Sequence, residues 1–313
     1  MIRPSFSCHQ TLLALAKSVF CSVLLLSCTK ESTGVNNADR PLLATTPPVA
    51  RMVEAVMGQA VDRLVPDGMD ARQWTPSELQ LAQMSESFLI SNGRGFEAKL
   101  RRYDLPRNSW LRSANMLVEP AVLHDVVEHQ HGPEGTHSHG VVDGHTWVDP
   151  KTASKQLEAV RQRLVQEGFC HEEQSQQNVQ PLVDQLQQIH LAFAQIDPQS
   201  IVLLANRKVY DYLARTHGWN ITSFDFDPES PLPEEVASQL ELMDEDCIFL
   251  LESVPGPELA EALGKLQIHP VVLPTGANAS NDERWPECIG AGAERLQNAI
   301  SSFLTPKRAE STP

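Results

Sequence analysis

Six of the eleven histidines in this 313-residue chain fall within one short segment, residues 124–145. Imidazole nitrogens are the commonest protein ligands for borderline metals such as zinc, copper and nickel, so this cluster predicts metal binding. Glycines are spaced among the histidines, and we therefore expect a flexible capture loop instead of a preformed cage. The alternative is an exposed loop that binds metal weakly. The candidate metal ligands are His124, His129, His131, His137, His139 and His145.

A second chemistry is open to the same segment. His137 and His139, followed by Asp143 and His145, resemble the His-x-His-x-Asp-His signature of metallo-β-lactamase-type hydrolases. Two residues are inserted before the Asp and one after it, so these side chains would not meet a metal from the same turn. The chain also has no Gly-x-Ser-x-Gly elbow. We predict that the protein is not an enzyme, with a metal-dependent hydrolase as the alternative.

The charge and length of the chain limit its partners and its organisation. Lys and Arg number 25 against 40 for Asp and Glu, which gives a formal net charge of -15. An acidic surface repels phosphate backbones, so nucleic-acid binding is excluded and a cationic partner is favoured. Single hydrophobic cores stop growing at roughly 250 to 300 residues, and the length therefore favours two compact domains.

The N-terminus has the features of an export signal. Arg3 precedes an apolar stretch, residues 18–26, that ends in Leu-Leu-Ser-Cys28. This ending resembles a bacterial lipobox, in which the cysteine is cleaved free and lipidated. The stretch is too short to span a bilayer as a helix. We therefore predict a signal peptide over residues 1–28, a lipid anchor on Cys28, a polar tether over residues 29–41, and a location on the periplasmic side of a bacterial membrane.

Three cysteines follow Cys28 in the chain. Export places them in an oxidising compartment, where Cys247 and Cys288 could form a disulfide. Cys170 is then the odd cysteine, and the sequence leaves the connectivity open.

Two helices are predicted directly after the histidine-rich segment. Asp149 and Pro150 have the residue types of an N-cap and a first helical position, and this helix is expected to end near Gly168. A second helix over residues 171–196 has one continuous apolar stripe at spacings of three and four, and Pro181 should kink it or mark its start. Such a helix is either a rigid strut between two lobes or an ordinary core helix.

Alternating strand and helix patterns flank these helices. Before them we predict a helix over residues 48–60, a capping box from Thr75 to Glu78 and a buried strand over residues 88–91. After them the predicted strands are residues 201–204, 221–226, 247–251 and 270–273, with spacings that favour parallel βαβ units. The predicted fold class is α/β, with two lobes that each hold a small parallel sheet flanked by helices and are joined by the long helix. The predicted boundaries are residues 42–150 and 199–304 for the lobes, 151–198 for the helical segment and 305–313 for a tail.

The stretch from His145 to Pro150, His-Thr-Trp-Val-Asp-Pro, resembles the His-x-Trp-Leu-Asp-Pro signature of zinc and manganese substrate-binding lipoproteins of ABC transporters, the ZnuA-like family of cluster A-I. The resemblance covers almost the whole mature chain. It implies a metal in the cleft between two lobes, with Zn²⁺ as the expected ion and Mn²⁺ or another transition metal as the alternatives. It also implies a monomer that works with an ABC permease and its ATPase. The further matching stretches, in chain order, are residues 64–70, Asn92-Gly93 with Glu97, residues 210–213 with Gly218, and residues 249–252.

The resemblance fails at most of the family's cleft ligands. Arg72 lies near the expected first histidine, and Arg207 lies where the second lobe gives a His or Glu. Glu252 is the third altered cleft position, and only Asp282 lies close to the family's final Asp ligand. Of the four expected ligands, His145 alone is clearly kept.

Three outcomes are open for such a cleft. Guanidinium groups cannot coordinate zinc, so the loop histidines would complete a different site around His145, or the two arginines would hold an anion or a metal–anion complex. In the third outcome the arginines pair with Asp225, Asp227 or Glu252 and the cleft binds nothing. We predict an exported, lipid-anchored protein that delivers a transition metal, zinc, to an ABC permease. A metal-sensing or chaperone lipoprotein without a permease is a further alternative.

Overall fold

Two four-stranded parallel sheets organise the chain in the computed structural model, which describes residues 37–123, 142–198, 201–277 and 284–304. Helices flank both sheets, and the predicted α/β fold class is confirmed. One large hydrophobic cluster contains residues from both sheets and from the helices between them, and a smaller one lies around β7 in the second sheet. Among the described helices, none has the length and apolar character needed to cross a bilayer.

The N-terminal sheet has the strand order β2-β1-β3-β4. Its strands pair in parallel, with Leu43 of β1 opposite Leu89 of β3. The sequence predicted only β3, because the other three strands contain two or three residues and show no period. The elements of this lobe are β1 (Leu42–Ala44), α1 (Pro47–Met57), β2 (Asp62–Arg63), α2 (Glu78–Glu86), β3 (Phe88–Ser91) and β4 (Trp110–Arg112).

The C-terminal sheet has the order β6-β5-β7-β8, and all its pairings are parallel as predicted. Strand β7, one of the two central strands, is buried at every residue, which explains its continuous apolar run. The elements of this lobe are β5 (Val202–Ala205), α5 (Asp211–His217), β6 (Ile221–Ser223), α6 (Glu234–Leu240), β7 (Cys247–Leu251), α7 (Pro257–Lys265), β8 (His269–Val272) and α8 (Glu287–Leu304).

Two long helices lie between the sheets in the sequence. Helix α3 (Pro150–Gln166) begins as predicted, since the Asp149 carboxylate accepts the backbone N–H groups of Lys151 and Thr152. Helix α4 (Glu172–Ala194) contains Pro181 in its interior, so the alternative in which Pro181 marks its start is wrong. Helix α4 packs against α1 of the first lobe and α8 of the second, as well as against α3. It therefore has the contacts expected of a helix that joins two lobes.

The predicted capping box is displaced by two residues. The N-cap of α2 is Ser77, whose hydroxyl accepts the Gln80 backbone N–H while the Gln80 side chain accepts the Ser77 N–H. Thr75 and Glu78, the predicted pair, do not form the box. Both residue pairs fit the same sequence pattern, because Gln and Glu are equally suited to the third helical position.

The structure does not form the predicted disulfide. Cys247 on β7 packs in the smaller hydrophobic cluster and Cys288 on α8 packs in the larger one, so the two thiols are held apart. The described part of the predicted tether, residues 37–41, also differs from expectation. Asn37 is buried and donates to the Asn108 carbonyl, and Arg40 donates to the Ser87 carbonyl. These residues therefore belong with the N-terminal lobe.

Candidate functional site

The carboxyl ends of strands from both sheets face one cavity of about 560 Å³. Segments that follow β3, β5 and β6 contribute to its wall, which is where open parallel sheets place their ligands. Three of the residues singled out from the sequence, His145, Arg72 and Arg207, line this cavity together. The cavity is therefore the candidate ligand cleft.

A neighbouring carboxylate engages one ring nitrogen of His145, which lines the cleft. Its Nδ1 lies 2.8 Å from Oδ1 of Asp143, which also accepts the His145 backbone N–H at 2.8 Å. The ring packs edge-on against Phe96 with 5.1 Å between centroids, and the residue is 6% exposed. Because Nδ1 is engaged by a carboxylate, Nε2 is the nitrogen left to coordinate a ligand. This carboxylate–histidine arrangement is the one that orients metal-bound imidazoles.

Asp143, which the sequence indicated only within the hydrolase-like signature, is the residue that positions His145. Its carboxylate is buried, and its Oδ2 has no hydrogen-bond partner in the described structure. Its backbone carbonyl accepts the Tyr212 hydroxyl of the second lobe, and that hydroxyl in turn accepts a guanidinium N–H of Arg94 in the first. Groups from both lobes thus hold the residue that orients His145. The i, i+2 spacing of an Asp before a motif His was the available signal.

The rest of the His145–Pro150 motif fixes the cleft wall in the core. Trp147 is fully buried, and its indole N–H donates to the Thr275 carbonyl at 2.8 Å. Its own carbonyl accepts the indole N–H of Trp285 at 3.1 Å. Asp149 then caps α3. The motif therefore joins His145 to the second lobe and to a helix start.

The Asn92-Gly93 and Glu97 match is a positioning device. The buried Glu97 carboxylate accepts the Thr45 hydroxyl at 2.6 Å and the backbone N–H groups of Asn92 and Gly93 at 2.8 and 3.0 Å. Burial raises the pKa of Glu97, and these hydrogen bonds oppose that rise. The Asn92 amide donates to the Gly144 carbonyl at 2.7 Å, directly beside His145. The turn after β3 thereby holds the strand end against the cleft motif.

Arg72 is paired within its own loop. Its Nε and Nη2 donate to the two carboxylate oxygens of Asp70 at 3.0 and 2.8 Å. Burial alone would raise the pKa of Asp70, but the hydrogen bonds and charge of Arg72, with a contribution from Arg207, lower it. The Asp70 carboxylate therefore stays ionised, and this bidentate pair neutralises the Arg72 charge at the cleft wall.

Arg207 is paired across the second lobe. Its Nη1 donates to Oε2 of Glu252 at 3.1 Å, and its Nε lies 4.0 Å from the exposed carboxylate of Asp225. Asp227 instead accepts the Glu229 backbone N–H. Of the three carboxylates expected from the sequence to neutralise the cleft arginines, Glu252 and Asp225 contact Arg207. Arg72 pairs instead with Asp70, which the sequence did not indicate.

The structure brings together only part of the predicted site. His145, Arg72, Arg207 and Glu252 lie on or directly behind the cleft wall. Within the described ranges, His145 belongs to no cluster of three metal-ligating side chains. Six candidate ligands lie outside the described residues: His124, His129, His131, His137, His139 and Asp282. Cys28, the predicted lipidation residue, also lies outside them.

Two parallel α/β lobes, a linking helix and a ligand cleft at the strand ends define the chain as a two-lobed solute-binding protein. A sequence model described as ZnuA, zinc-uptake complex component A, periplasmic, matches residues 42–299, and the chain belongs to this family.

Known relatives and solved structures agree with this placement. The zinc-binding lipoprotein AdcA of Streptococcus pneumoniae is 24% identical in an alignment of 220 residues that covers 66% of this chain and 42% of AdcA. The chain therefore spans less than half the length of that relative. The Zn(II)-bound ZnuA-like domain of that AdcA superposes with a TM-score of 0.67 at 17% identity, covering 84% of this chain and 98% of the domain. The structure of FpvC from Pseudomonas aeruginosa in complex with Mn²⁺ superposes with a TM-score of 0.66 at 16% identity, covering 84% of this chain and 99% of FpvC.

Proposed function

We propose that this protein binds a transition metal, zinc, in the cleft outside the cytoplasm and delivers it to an ABC permease. The observation that carries the proposal is the Asp143–His145 pair, which holds one imidazole with its Nε2 as the nitrogen left for coordination in a cavity between two lobes. Metal-binding relatives with the same fold support it. The accessory ligands in this proposal are His124, His129, His131, His137 and His139.

The charges around the cleft favour a cation over an anion. Arg72 and Arg207 are each neutralised by a carboxylate, so neither guanidinium is a bare anion site. Asp143 and Asp225 add negative charge to the wall, and Lys208 adds one positive charge. A buried carboxylate near an imidazole, as Asp143 is beside His145, raises cation affinity and opposes anion binding. We therefore favour a metal over the anion of the alternative hypothesis.

A zinc titration of the purified chain tests the cleft assignment. Isothermal titration with a competing chelator should show saturable binding in the wild type, and His145→Ala should lose one binding event or show it with at least tenfold weaker affinity. The matched control is His171→Ala, because His171 is an exposed histidine at the N-cap of α4 and does not line the cavity. It should bind like the wild type.

The loop assignment needs a separate variant in which residues 124–139 are deleted. We expect weaker zinc binding than in the wild type. If this deletion and His145→Ala both bind zinc as tightly as the wild type, the ligand assignment is wrong. If the wild type instead binds phosphate or another anion saturably and no metal, the cleft has the altered specificity of the anion alternative. Turnover of ester or lactam substrates by the metal-loaded protein would favour the hydrolase.

Delivery to a permease is tested in cells that lack this gene. The wild-type gene should restore growth under zinc limitation and His145→Ala should not. Adjacent permease and ATPase genes are expected for an importer, whereas their absence would favour the sensing or chaperone alternative. Labelling with a radioactive fatty acid should mark the wild type and not Cys28→Ala, and equal labelling of both would exclude the proposed anchor.

A further inference from the structure

A second group of metal-ligating side chains lies outside the cleft. Asp149, His190 and His217 each place one ligand atom within 4.8 Å of the other two. They come from three elements, since Asp149 caps α3, His190 lies on α4 and His217 ends α5. None of the three lines the 560 Å³ cavity. This group is therefore distinct from the site of the proposed function.

Both imidazoles carry a buried nitrogen that lacks a partner. Nδ1 of His190 and Nε2 of His217 are inaccessible to solvent and make no hydrogen bond in the described structure. The two rings lie with 5.3 Å between their centroids. Buried polar atoms are nearly always satisfied, and an orphaned one calls for a ligand, ion or water. A metal bound between the rings would satisfy both nitrogens at once.

The carboxylate of Asp149 is held in place by its neighbours. Its Oδ2 accepts the Thr152 hydroxyl at 2.6 Å and the Thr216 hydroxyl at 2.7 Å. Oδ1 has only a long contact, 3.4 Å, with the Lys151 backbone N–H. Hydrogen bonds of this kind orient ligating carboxylates in metal sites. The carboxylate thus keeps lone pairs available for coordination and has little freedom to turn away.

Aromatic rings and charged groups surround the imidazole of His217. Burial lowers the pKa of His217, an effect opposed by the charge of Asp149 and reinforced by His190 and Lys151. The aromatic rings of Phe193 and Trp219 pack against His217, at 5.9 and 5.2 Å between centroids. Imidazole must be neutral to coordinate a metal, and the burial of His217 favours that form. The Lys151 ammonium opposes a cation, but it is exposed and screened by solvent.

We propose that Asp149, His190 and His217 form a second zinc site, with three protein ligands and a fourth position open to water. Zinc accepts this mixture of imidazole and carboxylate in tetrahedral geometry. Ligand atoms around tetrahedral zinc lie about 3.3 Å apart, given metal–ligand distances of about 2.0 to 2.1 Å. The ligand atoms here lie within 4.8 Å of one another, so each pair has to close by at most about 1.5 Å to reach that spacing.

A bound ion would connect three helices that belong to different parts of the fold. It would tie the start of α3, four residues after His145, to the linking helix α4 and to α5 of the second lobe. The site therefore acts as a structural clamp behind the cleft motif. Anything that binds the folded state alone stabilises it, so zinc should raise the melting temperature through this site.

The experiment isolates the second site in the full-length chain. Its parent variant replaces the six cleft and loop histidines by asparagine, which leaves His9, His171, His190, His217 and His269. Chelator-competition titration of this parent with Zn²⁺ should show one saturable site. His190→Gln and His217→Gln should each weaken it at least tenfold, whereas His171→Gln and His269→Gln, which change exposed histidines, should leave it unchanged.

Each result decides the proposal. A natively folded parent that binds no zinc saturably, or a His190→Gln and His217→Gln pair that bind like the parent, overturns it. Circular dichroism of the metal-free variants shows whether loss of binding follows from loss of fold. Should one histidine variant fail to fold, the other carries the test. Failure of the cleft function leaves this test intact, because the parent has no cleft histidine.

A spectroscopic measurement checks the coordination independently. Co²⁺ in place of Zn²⁺ in the parent should give the intense visible absorption of a four- or five-coordinate ion. His190→Gln should abolish it and His171→Gln should keep it. A weak six-coordinate spectrum in the parent would overturn the proposed geometry.

Discussion

The cleft residue His145 and Asp149 of the second metal-ligating group lie four residues apart in the sequence, but the two groups are built in opposite ways. In the cleft a single imidazole, that of His145, is oriented by a buried aspartate and stands near two arginine–carboxylate pairs. Behind it, His190 and His217 lie together with buried unpartnered nitrogens and one carboxylate. The first group has a recognisable motif and few ligands, whereas the two histidines of the second group belong to no motif. Motif and coordination capacity are thus separate properties.

The largest expected effect comes from the residue between the two groups. Trp147→Ala removes a fully buried indole that hydrogen bonds to Thr275 and Trp285. Large aromatic truncations in cores cost about 3 to 5 kcal/mol, and we expect this loss in the free energy of unfolding, measured by urea denaturation. The motif and the helix start shift together, so both zinc sites should weaken. Weakening of one site alone would show that they are not coupled through Trp147.

Asp143→Asn should weaken zinc binding in the cleft and not at the second zinc site. Removing the carboxylate that orients His145 is expected to reduce zinc affinity in the cleft by about 10- to 100-fold, the usual effect of losing such a partner. The matched control is Asp225→Asn, which removes one negative charge from the same cavity wall at a side chain that is 97% exposed. It should change affinity far less. Equal losses in the two variants would mean that Asp143 acts through charge alone.

Arg72→Gln should increase the affinity of the cleft for zinc. The variant removes a positive charge from the cavity wall and releases the Asp70 carboxylate, and we expect a gain of about five- to tenfold by chelator competition. Arg51→Gln is the control, because Arg51 is an exposed residue of α1 that does not line the cavity. The second zinc site should not respond to either variant. A loss of affinity in Arg72→Gln would favour the anion or metal–anion ligand.

The smallest expected effect is a pH dependence of the metal-free protein. The folded state depresses the pKa of His217 below its ordinary value of 6.5, mainly through burial. The unfolded chain therefore takes up this proton at higher pH than the folded one. The unfolding free energy should fall as the pH drops through 6.5 and level off below the folded pKa. Urea denaturation from about pH 7.5 to about pH 5.5 should show a shallower decline in His217→Gln than in the wild type. Parallel curves would show that folding does not depress the pKa of His217.

Local patterns predicted the parts of the fold that depend on local interactions. The start of α3 at Asp149-Pro150 and the strands Phe88–Ser91 and Cys247–Leu251 follow from capping and from continuous apolar runs. The short strands β1, β2 and β4 were missed because pairing with β3 and its neighbours, and not their own residues, makes them strands. The Cys247–Cys288 pair was wrong because a count of cysteines contains no distances.

The same division applies to the candidate site. The sequence indicated the family, the altered positions Arg72, Arg207 and Glu252, and His145 as a candidate ligand, because each stands at a fixed place in a motif. It did not show that Arg72 takes Asp70, since the choice among nearby carboxylates depends on distance and orientation. The loop histidines and the lipid anchor on Cys28 remain predictions.

By itself, the sequence determined which chemical groups the protein contains and the order in which they occur. Periodicity and capping act between residues a few positions apart, so helices and buried strands follow from them. Only the tertiary structure decided that Asp149, His190 and His217 meet, or that Tyr212 of one lobe supports Asp143 of the other. Such contacts depend on packing between distant segments, and no local pattern records that packing.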